Sequence, residues 1–389
     1  MARFLRKPDS SEVRLPGAED AGDYKEGPAR TESPARTEPP AGTAAPHGRA
    51  KVPGLGRPGR EVLLWVSGLP VLVVLILAVL PLLTSSYALF NLMDQILILG
   101  VFAMSYDILL GYTGIVSFGH VLFFGTGAYT VAIILKHTGP GLGFLLLAVF
   151  GTVLISLVIS LVIGYLSLRV KDVYYAMITL AFAELFAIIA EKWRGATNGA
   201  DGFSFRIPHF LEDPILFYYF ILVFAVLTVI LVRRFIHSPT GRVLLSIREN
   251  EKRAEFLGYN VIRFKLISTL VAGVVAGLAG IAWALQQAFV STGVMATDKT
   301  IDALLITTIG GSGTLYGAFI GSGLTNFASD RLSSLAEHYP LLQRWHLIFG
   351  LLYILIVLFF PGGILGFFRG KRAGKGARGY RTGLQKGQR

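Results

Sequence analysis

Leu109–His120 reads LLGYTGIVSFGH, and it interrupts an apolar run where a membrane helix should continue. Three glycines (Gly111, Gly114, Gly119) and the hydroxyl residues Thr113 and Ser117 fall in this stretch, with no Lys, Arg, Asp or Glu. An uncharged, glycine-rich connector is more at home packed among helices than in water. Small residues let backbones approach, and broken helices are tolerated at membrane depth when protein surrounds them.

The surrounding composition makes the membrane setting necessary. Of 389 residues, 53% are hydrophobic and only 15% charged, too few polar groups to clothe a water-soluble protein of this length. Apolar runs long enough to cross a bilayer core of about 30 Å recur along the chain. They lack the alternation of a barrel strand, so the expected class is an all-α polytopic membrane protein. Cysteine is absent, which removes disulfides, thiolate metal sites and cysteine nucleophiles together. The net charge of +12 sits beside the apolar runs and in the tail, where residues 369–389 hold eight Lys/Arg and no acid. That distribution is a positive-inside signature rather than a nucleic-acid footprint, and it puts the C-terminus in the cytoplasm. Residues 1–60 are rich in Pro, Ala, Gly and Thr and contain the near repeat PARTES-PARTEP (Pro28–Pro39). They read as a disordered cytoplasmic extension of unspecialised composition.

About eight full spans follow: Val62–Leu83, Tyr87–Leu110, Val121–Leu135, Leu142–Leu168, Val173–Ala190, Pro214–Val232, Leu266–Val290 and Trp345–Phe368. Arg169–Asp172 (RVKD) forms a basic inner turn, residues 191–213 an external loop, and residues 235–265 a charged cytoplasmic loop. The run Ile301–Ala328 does not fit as one crossing, because the basic tail would then end outside. The conflict disappears if GGSGT (Gly310–Thr314) is a reversal joining arms of 9 and 14 residues, Ile301–Ile309 and Leu315–Ala328. The permease domain then covers 61–368, with 369–389 as a basic cytoplasmic tail.

Paired broken segments, one in each half, are a pointer to a transport path. That reading selects Gly111, Thr113, Gly114, Ser117, Phe118 and Gly119 in one break and Gly310, Gly311, Ser312 and Gly313 in the other; close helix packing is the competing explanation. GVVAG (Gly273–Gly277) and GAFIG (Gly317–Gly321) are read as packing spacings. Glu184 lies eleven residues into its span, where a charge needs a partner or water, so it joins the path candidates unless a neighbouring hydroxyl or amide satisfies it. Asp94 and Asp107 read as cap or interface residues. In Gly241–Lys265, Val243, Ile247, Ala254, Leu257 and Val261 recur at helical spacing among charged residues, an amphipathic cytoplasmic helix with Gly258 ending it. There is no G-x4-G-K-[ST] phosphate loop, and the histidines lack metal-site spacing, so neither nucleotide hydrolysis nor a metal is assigned to this chain.

The block GRVLLSIRENEKRAEFLGYNVIRFKLISTLVAGVVAGLAG resembles the LivM-type permeases of branched-chain amino acid ABC importers. LLGYTGIVSFGHVLFFGTGAYT, RVKDVYYAMITLAFAEL, TNGADGF, TIGGSGTLYGAFIG and PGGILG are similar to that family's blocks and occur in the same order, over Leu63 to Gly366. The resemblance implies a permease in the bacterial inner membrane, paired with a homologous LivH-type permease. It further implies two ATPase subunits, which hold the ATP-Mg, and an external solute-binding protein; no cofactor falls on this chain. It makes Arg248, Glu249, Asn250, Ala254 and Gly258 the ATPase-coupling loop. Thr197, Asn198, Gly199, Asp201 and Gly202 become an external gate or binding-protein contact, where Asn198 and Ala200 replace the family's usual Gly and Ser. Related importers carry urea or short amides. Two readings of other classes use the same residues: an ion-coupled secondary transporter acting through Glu184, and a membrane hydrolase with Ser312 as nucleophile and His120 or His346 as base.

Overall fold

A computed structural model describes residues 60–336 apart from Ser85, Arg169, Lys171 and Asp172, together with short pieces between 350 and 365, and side chains from Val71 onward. The expected N-terminal extension, the RVKD turn, most of the last span and the basic tail lie outside the described residues.

Helices α1 (Arg60–Leu83), α2 (Tyr87–Asp107), α3 (Val121–Thr138), α4 (Leu142–Ser167) and α5 (Val173–Lys192) come first. A short α6 (Arg194–Thr197) precedes α7 (Pro214–His237), α8 (Pro239–Glu249), α9 (Glu251–Phe256) and α10 (Val261–Gln287), and α11 (Asp298–Gly310) and α12 (Gly317–Ala336) close the order. Among the described residues, six stretches are long and apolar enough to cross a membrane: Tyr87–Thr113, Val121–Thr138, Leu142–Ser167, Val173–Lys192, Pro214–His237 and Val261–Gln287. The class is helical and multi-pass, as expected; the first expected span coincides with α1, whose part with described side chains, Val71–Leu83, is a shorter apolar helix. Helices overrun the predicted spans at their charged ends. α7 continues through Arg233 and Arg234 to His237, and α10 begins at Val261 rather than Leu266. Long basic side chains keep their heads in water while the backbone stays helical.

The centre is built from α2, α3 and α10, packed at backbone distance. A Cβ on Gly127 would strike the carbonyl of Gly277, and one on Gly280 would strike that of Phe124. GVVAG is thus a packing seam, with Ser156 Oγ 2.6 Å from where a Gly277 Cβ would stand. Around this seam Ile98, Val101, Leu122, Phe124, Ala276 and Ala279 are fully enclosed. α4, α5 and α7 instead turn Leu146, Phe150, Leu161, Ile188 and Leu231 outward, apolar surface that needs lipid or another chain. Tyr218 and Tyr219 donate their hydroxyls to the carbonyls of Leu77 and Ala78 at 2.8 and 3.0 Å, fastening α1 to α7.

The predicted reversal at GGSGT is present. α11 and α12 form an antiparallel pair in which Gly310 abuts Gly317 and Gly321 abuts the Ile306 carbonyl. Both arms exceed the predicted 9 and 14 residues, since α11 starts at Asp298 and α12 runs on to Ala336. α10 rises 27 residues from the α8–α9 region, the loop end of the bundle, to its sheet end. There Phe289–Val290 pairs antiparallel with Phe203–Ser204.

Candidate functional site

Two broken segments and the charged loop meet at the loop end. α2 does not stop at Asp107 but continues as one π-helical turn, Ile108–Thr113, closed by Gly114 at φ +78°. This left-handed conformation is one that Gly adopts without strain. Thr113 Oγ1 donates to the Ile108 carbonyl at 2.9 Å inside the turn. The chain then climbs back along α2 rather than leaving the bundle. Phe118 N–H donates to Thr179 Oγ1 of α5 at 3.2 Å, and Val121 N–H donates to Thr300 Oγ1 of α11 at 3.0 Å. Gly119 lies against the Thr179 carbonyl where a Cβ has no room, and Ser117 is buried. His120 is completely enclosed, with Nε2 2.8 Å from Ser105 Oγ and its ring stacked on Phe102. α3 therefore starts roughly level with Ser105, well above the turn at Gly111.

The second break docks on the first. Gly313 N–H donates to Asp107 Oδ1 at 2.8 Å, and Thr307 Oγ1 donates to the Ala103 carbonyl at 3.0 Å. Gly311 closes α11, and Gly363, from the piece of PGGILG that is described, packs against it. Ser312 is exposed. From below, the guanidinium of Arg248 at the end of α8 donates to the Gly111 carbonyl and lies against Gly313, while the base of the same side chain lies against Gly114. Of the residues selected from sequence, Gly111, Gly114, Gly313 and Arg248 thus come together.

The amphipathic stretch is two helices, a correction to the single helix expected. Asn250 leaves helical geometry and caps α9, accepting from Arg253 N–H at 2.9 Å, as Ser238 caps α8 at 3.3 Å from Gly241 N–H. α9 ends in a paired left-handed cap. Gly258 N–H donates to the Glu255 carbonyl at 2.9 Å and Tyr259 N–H to that of Ala254 at 3.2 Å, with Gly258 at φ +88°. Leu244, Ile247, Ala254 and Val261 form the buried side. Leu257, expected on that side, is 70% exposed and stands beside Phe256 at 90%. The break at Asn250 rotates α9 relative to α8, so the periodicity read across it does not apply. Glu249 is exposed at the end of α8, and Lys265 Nζ pairs with Glu251 at 2.8 Å to brace α9 on α10.

Glu184 and the 197–202 segment lie apart from this junction. Glu184 is exposed on α5, and its Oε1 accepts from Thr297 Oγ1 at 2.5 Å. The 197–202 segment is tied up internally at the sheet end. Thr197 Oγ1 donates to the Ala190 carbonyl at 2.5 Å, Gly199 N–H donates to Thr197 Oγ1 at 3.2 Å, and Asn198 Nδ2 donates to the Gly202 carbonyl at 2.8 Å. Gly202 presses on Val290, while Asp201 faces out. Sequence reasoning does not select Thr179 or Thr300, names His120 only as a base for Ser312, and gives Asp107 only a cap or interface role. The available signal is an acid closing an apolar run, next to glycines. No group of three or more His, Asp or Glu suited to a metal ion occurs among the described residues.

A family model described as the permease component of branched-chain amino acid transport systems matches residues 88–358. The high-affinity branched-chain amino acid transport system permease protein LivM of Salmonella typhimurium is 24% identical over 293 residues, covering 68% of this chain and 67% of that protein. LivM of Escherichia coli gives the same figures, 24% over 293 residues with 68% and 67% covered. A probable LivM of Methanocaldococcus jannaschii is 23% identical over 308 residues, covering 68% of this chain and 89% of that one. No solved structure matches this chain.

Proposed function

Because the chain belongs to the permease-component family of branched-chain amino acid transport systems, we propose that it forms half of an import path in a bacterial inner membrane, with both termini in the cytoplasm. It is a multi-pass transport component and not an enzyme. Its partners in this reading are a LivH-type permease, two ATPase subunits that bind and hydrolyse ATP-Mg, and an external solute-binding protein that delivers a branched-chain or related amino acid. The external contact falls on Thr197–Gly202 and the small sheet beside it.

One observation carries the coupling part of this reading. The α8–α9 loop is folded, fixed to the bundle on one side by Leu244, Ile247, Ala254 and Val261, and presents Glu249, Phe256, Leu257 and Gly258 on the other. A rigid knuckle with an apolar tip suits a groove on a partner, and its anchoring lets a push at the tip reach the spans. The glycine breaks supply the movable parts. The segment between α2 and α3 is the part that bends, and the α11–α12 hairpin, locked glycine to glycine, is carried as a unit. Glu184 has the hydroxyl partner that makes it a structural group, Thr297 Oγ1, so the solute path is not assigned to it.

The test is Glu249→Lys in the assembled importer in proteoliposomes. ATP-driven uptake of leucine, isoleucine or valine is expected to fall about tenfold while the subunits still co-purify, since a reversed charge at a docking rim sets like charges against each other and slows docking. Unchanged uptake would reject the coupling assignment, and uptake by this chain without ATPase subunits would favour an ion-coupled transporter. Uptake of urea or short amides in preference to amino acids would move the substrate to that related class.

A further inference from the structure

Asp107 and Arg248 straddle the same two glycines. Arg248 Nη1 donates to the Gly111 carbonyl and lies 2.9 Å from where a Gly313 Cβ would stand. Asp107 Oδ1 accepts from Gly313 N–H at 2.8 Å and occupies the place of a Gly111 Cβ. The carboxylate is 1% exposed and already feels the Thr314 N–H and the Arg248 charge, but its second oxygen, Oδ2, is buried and makes no hydrogen bond of normal geometry. Arg248 makes no ion pair within 4 Å among the described residues, and its one protein hydrogen bond there is to a backbone carbonyl. A guanidinium has five donors in a planar fork matched to a carboxylate, and charge-assisted bonds of that type are about twice as strong as neutral ones. A cation resting on a carbonyl, with a half-filled buried carboxylate across two glycines that have no side chains to intervene, has two places to bind.

We propose that Asp107 and Arg248 form a two-position latch between the cytoplasmic loop and the spans. In the position that the structure holds, Arg248 fixes the π-helical turn through Gly111, and Asp107 fixes the α11–α12 turn through Gly313. When α8 moves, Arg248 transfers from the Gly111 carbonyl to Asp107 Oδ2. The turn after α2 is released, and the carboxylate that holds Gly313 is drawn with it. One displacement of α8 thereby reaches both breaks. Asp107 and Arg248 are positioning residues in this scheme and touch no solute. The inference rests on reading α8–α9 as the ATPase-coupling loop.

The experiment measures solute uptake and solute-stimulated ATP hydrolysis in the same proteoliposomes, for the assembled importer carrying Asp107→Asn, Arg248→Gln or both. Asparagine keeps an oxygen for Gly313 N–H but offers Arg248 no charge. Arg248 is on the outer side of the joint, so its replacement leaves no buried void. The latch predicts that uptake falls at least about tenfold more than ATP hydrolysis measured on the same vesicles, so that ATP consumed per solute rises whatever the change in hydrolysis itself. The double variant should be no worse than the poorer single one, because both changes break the same two-group device. Uptake and hydrolysis falling in proportion, losses that multiply in the double variant, or uptake unaffected by Arg248→Gln would each overturn the proposal. Failure of the unaltered chain to co-purify with ATPase subunits would instead reject the coupling reading beneath it. If Asp107→Asn does not assemble, Arg248→Gln alone decides, since it carries the uncoupling prediction by itself.

Discussion

The two breaks at the loop end reach similar depth by different means. The second, at Gly310–Gly317, is steric: α11 and α12 meet backbone to backbone, and the space a side chain would need is occupied by the Gly317 and Ile306 carbonyls. The first, at Gly111–His120, is a long detour whose amide groups are claimed by hydroxyls on other helices, Thr179 on α5 and Thr300 on α11. A steric joint tolerates no added atom, and the side-chain ties from Asp107 to Gly313 and from Thr307 to Ala103 hold it against α2 rather than form it. A hydrogen-bonded joint can be loosened one clamp at a time. Motion is therefore built into one break more than the other. The α11–α12 hairpin moves as a unit, and the segment between α2 and α3 deforms.

Adding atoms to the hairpin puts this contrast at greatest risk. Gly310→Val sets a branched side chain against the Gly317 carbonyl. Overpacking of this kind costs about 1–3 kcal/mol where neighbours can shift, and more against backbone that cannot. The expected outcome is about a tenfold or greater loss of folded, assembled protein. Monodisperse yield in detergent measures it, with Gly143→Ala as control, since a Cβ at Gly143 meets nothing within 4 Å. A Gly310→Val protein that assembles like the control would remove the steric account.

The first break should respond more gently and in steps. Thr300→Val leaves the buried Val121 N–H without its acceptor, and Thr179→Val does the same to Phe118 N–H. An unpaired buried donor costs about 1–3 kcal/mol, so each variant should lower the midpoint of thermal unfolding by a few degrees. Thr300→Ser, which keeps the hydroxyl, should restore most of the loss. If valine and serine behaved alike at position 300, the clamp would be packing rather than hydrogen bonding, and the contrast between the breaks would fade.

Both breaks are visible in the sequence because glycine and hydroxyl residues replace charge at a place where topology requires a turn. The reversal at GGSGT follows from counting charges. The seam at Gly273–Gly277 follows from spacing. Convergence is not legible in the same way. Arg248 and Gly111 are 137 residues apart, and Asp107 and Gly313 are 206 apart. Periodicity carries no information over such separations, because those contacts are made by the packing of whole helices. Local signals fail once as well. Asn250 caps α9 within a run whose apolar spacing continues across it, and the resulting kink puts Leu257 outside. Glu184 shows a further limit. Its depth in the span is legible, but not that it meets the hydroxyl of Thr297 at the start of α11.

The smallest effect belongs to Ser312, and it tests whether the hairpin turn does chemistry or only turns. A serine between glycines on a membrane hairpin can be imagined as a nucleophile, which would need a base within hydrogen-bond reach. His120 does not fill that role. It is sealed in the bundle, its Nε2 is 2.8 Å from Ser105 Oγ, and it sits at the far end of the detour from the turn. Ser312 itself is exposed and stands outside the contacts that join Asp107, Gly111 and Arg248 to Gly313. Ser312→Ala therefore removes an exposed hydroxyl away from those contacts, a change worth about 0.5 kcal/mol or less. Uptake and unfolding midpoint are both expected to stay within experimental scatter of the unaltered protein. A large loss of uptake with unchanged stability would instead give the turn a direct part in the path. The hairpin would then be a solute contact rather than a rigid lever, and the division of labour between the two breaks would have to be reversed.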